Sequence, residues 1–191
     1  MGLHKVNDQT LVVIRENYEK IKSTHPNMRA RDIAKELHIS EAELLASRIG
    51  KEIIKLEGDW AELIRCMPNL GSVMALTRND SCVHEKHGEY DNISIGPGHG
   101  LVLNHDIDLR LFMSHWHFGF AVSEIVASGK RYSFQFFDIN GEAVHKVYMP
   151  KGNNLRAYKA IVNKFRSANQ TEEISIHKLP SGKKDISDDN L

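Results

Sequence analysis

Apolar residues in the first seventy positions recur every three or four residues, which is the spacing of one helical face. The longest such stripe runs from Leu11 to Ile21, and a shorter one runs from Ala30 to Leu37. A third helix is predicted to stop at Gly50, since glycine is a common residue just past a helix end. A fourth is predicted from Asp59 to Met67, where Pro68 ends it. The N-terminal part, about residues 10–70, is therefore predicted to be helical.

Two of these helices begin with capping signals. In Ser40-Glu41-Ala42-Glu43 the serine hydroxyl can accept from the Glu43 amide, and the Glu43 carboxylate can accept from the Ser40 amide. Asp59 is a favoured residue type immediately before a helix. These signals fix where the third and fourth helices start.

After Leu70 the apolar residues alternate with polar ones, which is typical of half-buried strands. Asn140-Gly141 predicts a tight hairpin turn with positive φ angles, and Arg78-Asn79-Asp80 predicts a second turn. The predicted strands are Val73–Arg78, Ser81–His87, Tyr90–Ile95, Gly100–Asn104, Ile107–Phe112, Phe118–Ala127, Arg131–Asp138 and Ala143–Met149.

Helical spacing returns over Asn154 to Phe165, and one more strand is predicted over Glu173–Lys178. Helices followed by a run of strands and a final helix indicate the α+β class. We expect an antiparallel meander sheet of seven to nine strands, placed over residues 73–149, with N-terminal helices and a C-terminal helix. Residues 1–180 are predicted to form a single domain, and 181–191 a polar tail.

Composition narrows the function classes. Of 191 residues, 41% are hydrophobic, and 25 Lys plus Arg balance 25 Asp plus Glu. A net charge of zero argues against a protein held to nucleic acid or anionic lipid by its overall field. No apolar run reaches the roughly 20 residues that span a bilayer, and the N-terminus lacks the apolar region of a signal peptide. Cys66 and Cys82 both fall in apolar segments and are predicted to be buried free thiols, so a cytoplasmic location is expected.

Histidine is the unusual residue. The chain has 11, of which five lie between His84 and His115, and His117 follows. His84 and His87 are three apart, so on a strand they point to opposite faces and cannot chelate one ion together. A structural zinc site is poorly supported. One imidazole can still be the axial ligand of a haem iron, although a solvent-facing strand histidine is the ordinary alternative.

The segment from Asp108 to Phe112 alternates polar and apolar residues, so Asp108 and Arg110 share one face of a strand. A cross-strand ion pair is the simple interpretation. The functional interpretation is that the arginine points into a groove and binds a carboxylate there. Haem propionates are carboxylates. Two more imidazoles and an indole follow in His115-Trp116-His117.

Residues 31–44 have the pattern of a helix-turn-helix, two short helices around a tight turn. DNA binding would require the second helix to present base-reading side chains in a basic surround. That helix carries Glu41 and Glu43, and Arg48 is its only basic residue. A structural helical hairpin is favoured, with a DNA-binding or interaction module as the less favoured alternative. The glycine-rich Gly96-Pro97-Gly98-His99-Gly100 indicates a turn between strands rather than a phosphate-binding loop.

Several stretches, in uninterrupted order, resemble the N-terminal repeat of the HemS/ChuS (haemin-degrading factor) family over about residues 29 to 166. They are Arg31-Asp32-Ile33-Ala34 with Ser40-Glu41-Ala42-Glu43-Leu44, Val73-Met74-Ala75-Leu76-Thr77-Arg78-Asn79, Val83-His84-Glu85-Lys86, Ile107-Asp108-Leu109-Arg110-Leu111-Phe112, and Phe134 through Asn140-Gly141 to Tyr148.

The resemblance implies a mostly antiparallel sheet with helices and a haem cleft beside it. By position, His84 matches a histidine proposed as a haem ligand in the first repeat of some members, and Arg110 matches an arginine at the haem face. Family members carry two tandem repeats, and this sequence matches the first only. The resemblance leaves open whether the chain is a one-repeat protein or part of a tandem one. Shorter relatives with one repeat form dimers, which makes a homodimer the expected assembly here.

Three functions follow for testing. The first is a cytoplasmic haem-binding protein for haem uptake, trafficking and iron acquisition, with His84 as the iron ligand and Arg110 near a propionate or the iron face. The second is an enzyme that opens the haem ring with oxygen and releases iron. The third is a DNA-binding or interaction module built on residues 29–50, against which the acidic second helix weighs.

Overall fold

The computed structural model describes residues 3–5, 8–50, 52–79 and 81–177. Its helices are α1 (Asp8–Thr24), α2 (Ala30–Glu36), α3 (Glu41–Ala46), α4 (Trp60–Cys66) and α5 (Leu155–Phe165), with 3-10 turns at Met67–Leu70 and Met113–His115. Its strands are β1 (Leu3–Lys5), β2 (Ile53–Leu56), β3 (Val73–Arg78), β4 (Val83–Gly88), β5 (Ile93–Gly96), β6 (His99–Leu103), β7 (Asp108–Leu111), β8 (Phe118–Val126), β9 (Gly129–Phe137), β10 (Ala143–Met149) and β11 (Ser175–His177).

The strands form three antiparallel sheets. The large sheet has the order β2-β8-β9-β10-β3-β4, the small sheet the order β5-β6-β7, and β1 pairs with β11. The predicted α+β class is therefore confirmed, and strands β3 and β10 have the predicted bounds. The predicted meander over 73–149 is divided between the large and small sheets.

One strand lies where helix was predicted. β2 pairs with β8 in the register Ile53↔Val122 and places Ile53 fully in the core. Four residues are too few to show a period of two, so only the pairing partner reveals the strand. The predicted tail 181–191 lies outside the described residues, and the single-domain assignment stays a prediction.

The predicted helix caps are confirmed, whereas the β9–β10 turn differs from its prediction. Ser40 and Glu43 form the capping box, and Asp59 caps α4. The β9–β10 turn has positive φ at Gly141 (77°) and not at Asn140, so the expected pair of positive φ angles is wrong. The Gly141 amide donates to the Asp138 carbonyl (3.0 Å), and the Asp138 amide donates to the Glu142 carbonyl (3.0 Å). This pattern is a three-residue hairpin loop, which needs positive φ only at its last position.

The large sheet has two buried faces. Its front face, marked by Val73, Ala75, Phe134 and Val147, packs against α4, α5 and the small sheet in the main apolar cluster. Its back face, marked by Ile53, Phe120 and Phe137, packs against α3 and β11 in a second cluster. Behind α3, helices α1 and α2 form a third.

The small sheet covers part of that front face with its own inner side. Val102 and Leu111 are buried there, and Ile93, Ile95 and Leu109 pack against the same cluster. Because strand side chains alternate, the other side of this sheet points away from the core. We call it the outer face; it carries His99, Leu101 and Arg110.

Candidate functional site

Arg110 lies on the outer face of the small sheet, directly opposite Leu101 on β6. Its guanidinium is 3.4 Å from Asp108, and the two side chains are 65% and 64% exposed. The alternation predicted that they share a face. The pair joins positions two apart on one strand rather than neighbouring strands, and such an exposed pair contributes little to stability. The guanidinium therefore stays available to a carboxylate from outside.

His99 lies on the same face, two residues before Leu101 on β6. Its ring centroid is 6.4 Å from that of Phe112, which follows β7. Phe112 is 53% exposed, an unusual degree for so large an apolar ring. The outer face thus combines an imidazole, an aromatic ring, an aliphatic side chain and a guanidinium.

His84 lies elsewhere, on β4 at the edge of the large sheet. It pairs with Thr77, and Lys86 pairs with the buried Ala75, so His84 belongs to the front face of the large sheet. Its side chain is exposed. Among the described residues, no hydrogen bond, ion pair or ring contact joins His84 to Arg110. The structure thus places the two sequence-predicted site residues in different sheets.

His87 pairs with Met74 and belongs to the back face, so His84 and His87 do point to opposite sides of the sheet. In the described ranges, no group of three or more His, Cys, Asp or Glu residues is arranged to hold a metal ion. Of the two free cysteines, Cys66 is half-buried and Cys82 is exposed, so the expected burial of Cys82 is wrong. Cys82 lies in the β3–β4 turn. Its apolar neighbour Val83 made this segment resemble a buried strand.

The front face holds a histidine that the sequence did not single out. His145 on β10 is 2% exposed, and its ring contacts the Tyr90 hydroxyl at Nε2 (2.5 Å) and the Thr77 hydroxyl at Nδ1 (3.2 Å). Trp116 stacks on it with ring centroids 5.8 Å apart. Burial lowers the pKa of His145 to about 4, so the imidazole is neutral at physiological pH. With both nitrogens engaged, this histidine holds Tyr90 to the sheet.

The sequence did not reveal His145 because both faces of β10 are covered, so alternation alone does not separate buried from exposed positions. The β9–β10 register shifts between Ala143 and His145, which places Ala143 on the back face and His145 on the front face. His145 and Lys146 are neighbours that point to opposite faces, and both are buried. The residues of the strand contain no signal that predicts the bulge.

The sequence His115-Trp116-His117 does not form a cluster of imidazoles. Trp116 is 5% exposed and stacks on Phe136 with ring centroids 4.4 Å apart, while both flanking histidines are exposed. The Trp60 indole donates to the Trp116 carbonyl (2.9 Å). Trp116 is a core residue, since its ring is enclosed by the front face.

The helix-turn-helix pattern is a structural element of the back face. All six residues of α3 are buried, including Glu41 and Glu43. Glu41 pairs with Lys146, and the two side chains are 5% and 7% exposed. A helix enclosed in this way has no free face for a DNA groove. In the described part of the chain, no helix combines the length and apolar character needed to cross a bilayer.

Together these features define a mixed α+β domain with a large antiparallel sheet and a smaller sheet that presents a polar and aromatic outer face. The chain belongs to the haemin-degrading HemS/ChuX domain family, whose domain matches residues 38–165.

Similar proteins cover most of this chain. It is 40% identical over 151 residues to the hemin transport protein HmuS of Yersinia pestis, covering 78% of this chain and 44% of that protein. The crystal structure of holo-PhuS, a heme-binding protein from Pseudomonas aeruginosa, has a TM-score of 0.84 at 38% identity, covering 90% of this chain and 50% of that one. ChuS, described as an E. coli heme oxygenase, has a TM-score of 0.78 at 30% identity, covering 87% and 49%. The chain thus spans about half the length of these relatives.

Proposed function

We propose that this chain binds haem and serves haem uptake, trafficking and iron acquisition in the cytoplasm. The observation that carries the proposal is the outer face of the small sheet. It places the guanidinium of Arg110 on the same face as Leu101 and near the His99–Phe112 ring pair, in a chain that belongs to the HemS/ChuX family. A hemin transport protein and a heme-binding protein are among its relatives.

The side chains present fit such a ligand. A porphyrin is flat and apolar with carboxylates at one edge, so it needs apolar contact area, a cation for a propionate and a neutral imidazole for iron. The outer face supplies exposed Phe112 for the first and exposed Arg110 for the second. His84 as the iron ligand stays a prediction, supported by the accessibility of its imidazole on an edge strand.

Titration of the purified chain with haemin, followed in the Soret region, tests the proposal. We expect a saturable shift of the Soret band at about one haem per chain or one per dimer. A spectrum that is only the sum of free haemin and protein at micromolar concentrations would contradict haem binding.

Haem degradation is the second candidate, and the likeness to ChuS favours it because that relative is described as a heme oxygenase. Adding ascorbate or a reductase to the haem complex in air separates the two functions. A carrier keeps its Soret band, whereas a degrading enzyme loses it and releases iron.

We also propose that residues 1–180 act as one haemin-handling domain that pairs into a homodimer. The chain spans about half the length of these relatives, and pairing two copies would bring two such halves together. Light scattering at tens of micromolar, with and without haem, measures the mass directly. A monomer mass in both conditions would rule the homodimer out.

A further inference from the structure

We propose that His99, in place of His84, is the imidazole of this chain that reaches the haem iron; this rests on the proposed haem-binding function. The starting point is that Arg110 and His99 share one surface, the outer face of the small sheet. Arg110 is opposite Leu101, and His99 precedes Leu101 by two residues, so all three project to the same side. A single flat ligand can therefore contact both the guanidinium and the imidazole.

The imidazole of His99 is free to bind. Its side chain is exposed, and within the described residues no hydrogen bond or ion pair engages its ring. This contrasts with His145, whose two ring nitrogens are both engaged in the core. A neutral imidazole with an open nitrogen is what an axial position on iron requires.

The glycine-rich turn leaves the approach to His99 open. Gly96 pairs directly with His99, and a Cβ added at Gly96 would meet nothing within 4 Å. The same is true of Gly98, whose φ of 88° makes the turn that leads into β6. A side chain at Gly96 would lie on the same face as the imidazole, because the two positions pair directly. Its absence gives a macrocycle room to lie over the imidazole.

Phe112 gives this surface its apolar contact. Its ring lies 6.4 Å from that of His99 and is half exposed. A large exposed ring beside an open imidazole is a place where a flat apolar ligand gains burial and stacking at once. Neither His84 nor His87 has such a neighbour among the ring contacts of the described residues.

The test compares three single variants of the full chain, His99→Ala, His84→Ala and His105→Ala, in haemin titrations. His105 is the matched control, because its side chain is 99% exposed and lies in the turn between β6 and β7. We expect His99→Ala to move the Soret maximum and to weaken haemin binding on the order of tenfold or more, a loss typical even for outer-shell partners of metal sites. His105→Ala should match the wild type.

Imidazole added to haem-loaded His99→Ala should restore the wild-type spectrum, a result that a merely structural role does not give. Thermal unfolding checks that each variant is folded. If wild type binds haemin and His99→Ala has the wild-type spectrum and affinity, the inference is overturned while the proposed function stands. A Soret change in His84→Ala alone would move the ligand to His84. Failure of the wild type itself to bind would contradict the proposed function.

Discussion

Two polar regions of this molecule are built in opposite ways. The stretch His145-Lys146 on β10 lies between layers, with His145 held by Tyr90 and Thr77 and Lys146 paired with Glu41. The outer face of the small sheet also carries an imidazole and a cation, His99 and Arg110, yet both are exposed and the ring of His99 has no hydrogen bond within the described residues.

The difference teaches which polar groups serve the fold and which are available to a ligand. A buried polar group must be satisfied by the protein, because leaving it unpaired costs free energy. An exposed group exchanges water for a ligand at little cost. Changes in the β10 stretch should therefore lower stability, whereas changes on the outer face should alter binding alone.

The largest effect is expected from Lys146→Met. It leaves the Glu41 carboxylate, 5% exposed, without its partner, and breaking a buried pair typically costs about 3–5 kcal/mol. Urea denaturation measures the change in the free energy of unfolding. Lys159→Met on the exposed side of α5 is the control and should stay within about 0.5 kcal/mol.

Replacing both partners sharpens this prediction. The double variant Lys146→Met, Glu41→Leu removes both charges and should recover much of the loss, since an apolar pair of similar volume is often tolerated at such sites. A single variant as stable as the wild type would show that the pair lies in water rather than in the core.

The second effect is a pH dependence from His145. Its folded pKa is about 4 against 6.5 for the unfolded chain, so the unfolded state binds more protons between these values. The contribution to stability is full above pH 6.5 and is lost as the pH falls towards 4, on the order of 3 kcal/mol in all. Unfolding of wild type and His145→Gln across pH 4–7.5 measures it. Equal pH slopes for the two proteins would contradict the buried neutral imidazole.

Much of the fold could be predicted from the sequence because its signals are local. The capping box at Ser40, the N-cap at Asp59 and the alternation in β3 each appear where their residues stand. The division of the strands into two sheets could not be predicted, since it depends on which strands pair across long distances. β2 was not predicted for the same reason. Its four residues are too few to show a strand pattern, and they form a strand because they pair with β8.

The candidate site could be predicted only in part. Alternation correctly placed Asp108 and Arg110 on one face, and the resemblance pointed to Arg110 and His84. Alternation within a strand cannot say which sheet a strand joins, so it could not show that these two residues lie apart. His99 and Phe112 lie close together because β6 pairs with β7. Alternation along a strand does not reveal which strands pair, so this contact could not be predicted.

A smaller effect is expected from Arg110→Ala. The side chain is 65% exposed and its partner Asp108 is 64% exposed, so unfolding should change by less than about 0.5 kcal/mol. Haemin affinity should fall by about 0.2–1 kcal/mol, roughly 1.4-fold to fivefold, the range for an exposed ion pair. The loss should shrink in high salt because exposed charges are screened. Arg156→Ala, exposed on α5, is the control; an equal loss there would mean that only overall charge matters.

The smallest effect is expected from His84→Ala. His84 is exposed at the edge of the large sheet, so removing it leaves no cavity, and stability should stay within about 0.5 kcal/mol of wild type. If His99 supplies the imidazole, the Soret maximum should also stay in place. His87→Ala is the matched control, because it lies on the same strand and points to the opposite face. A Soret change in His84→Ala but not in His87→Ala would return the iron to the front edge of the large sheet. The outer face would then hold a propionate through Arg110 without holding the metal. The front edge of the large sheet would be a third polar region, one that binds the iron.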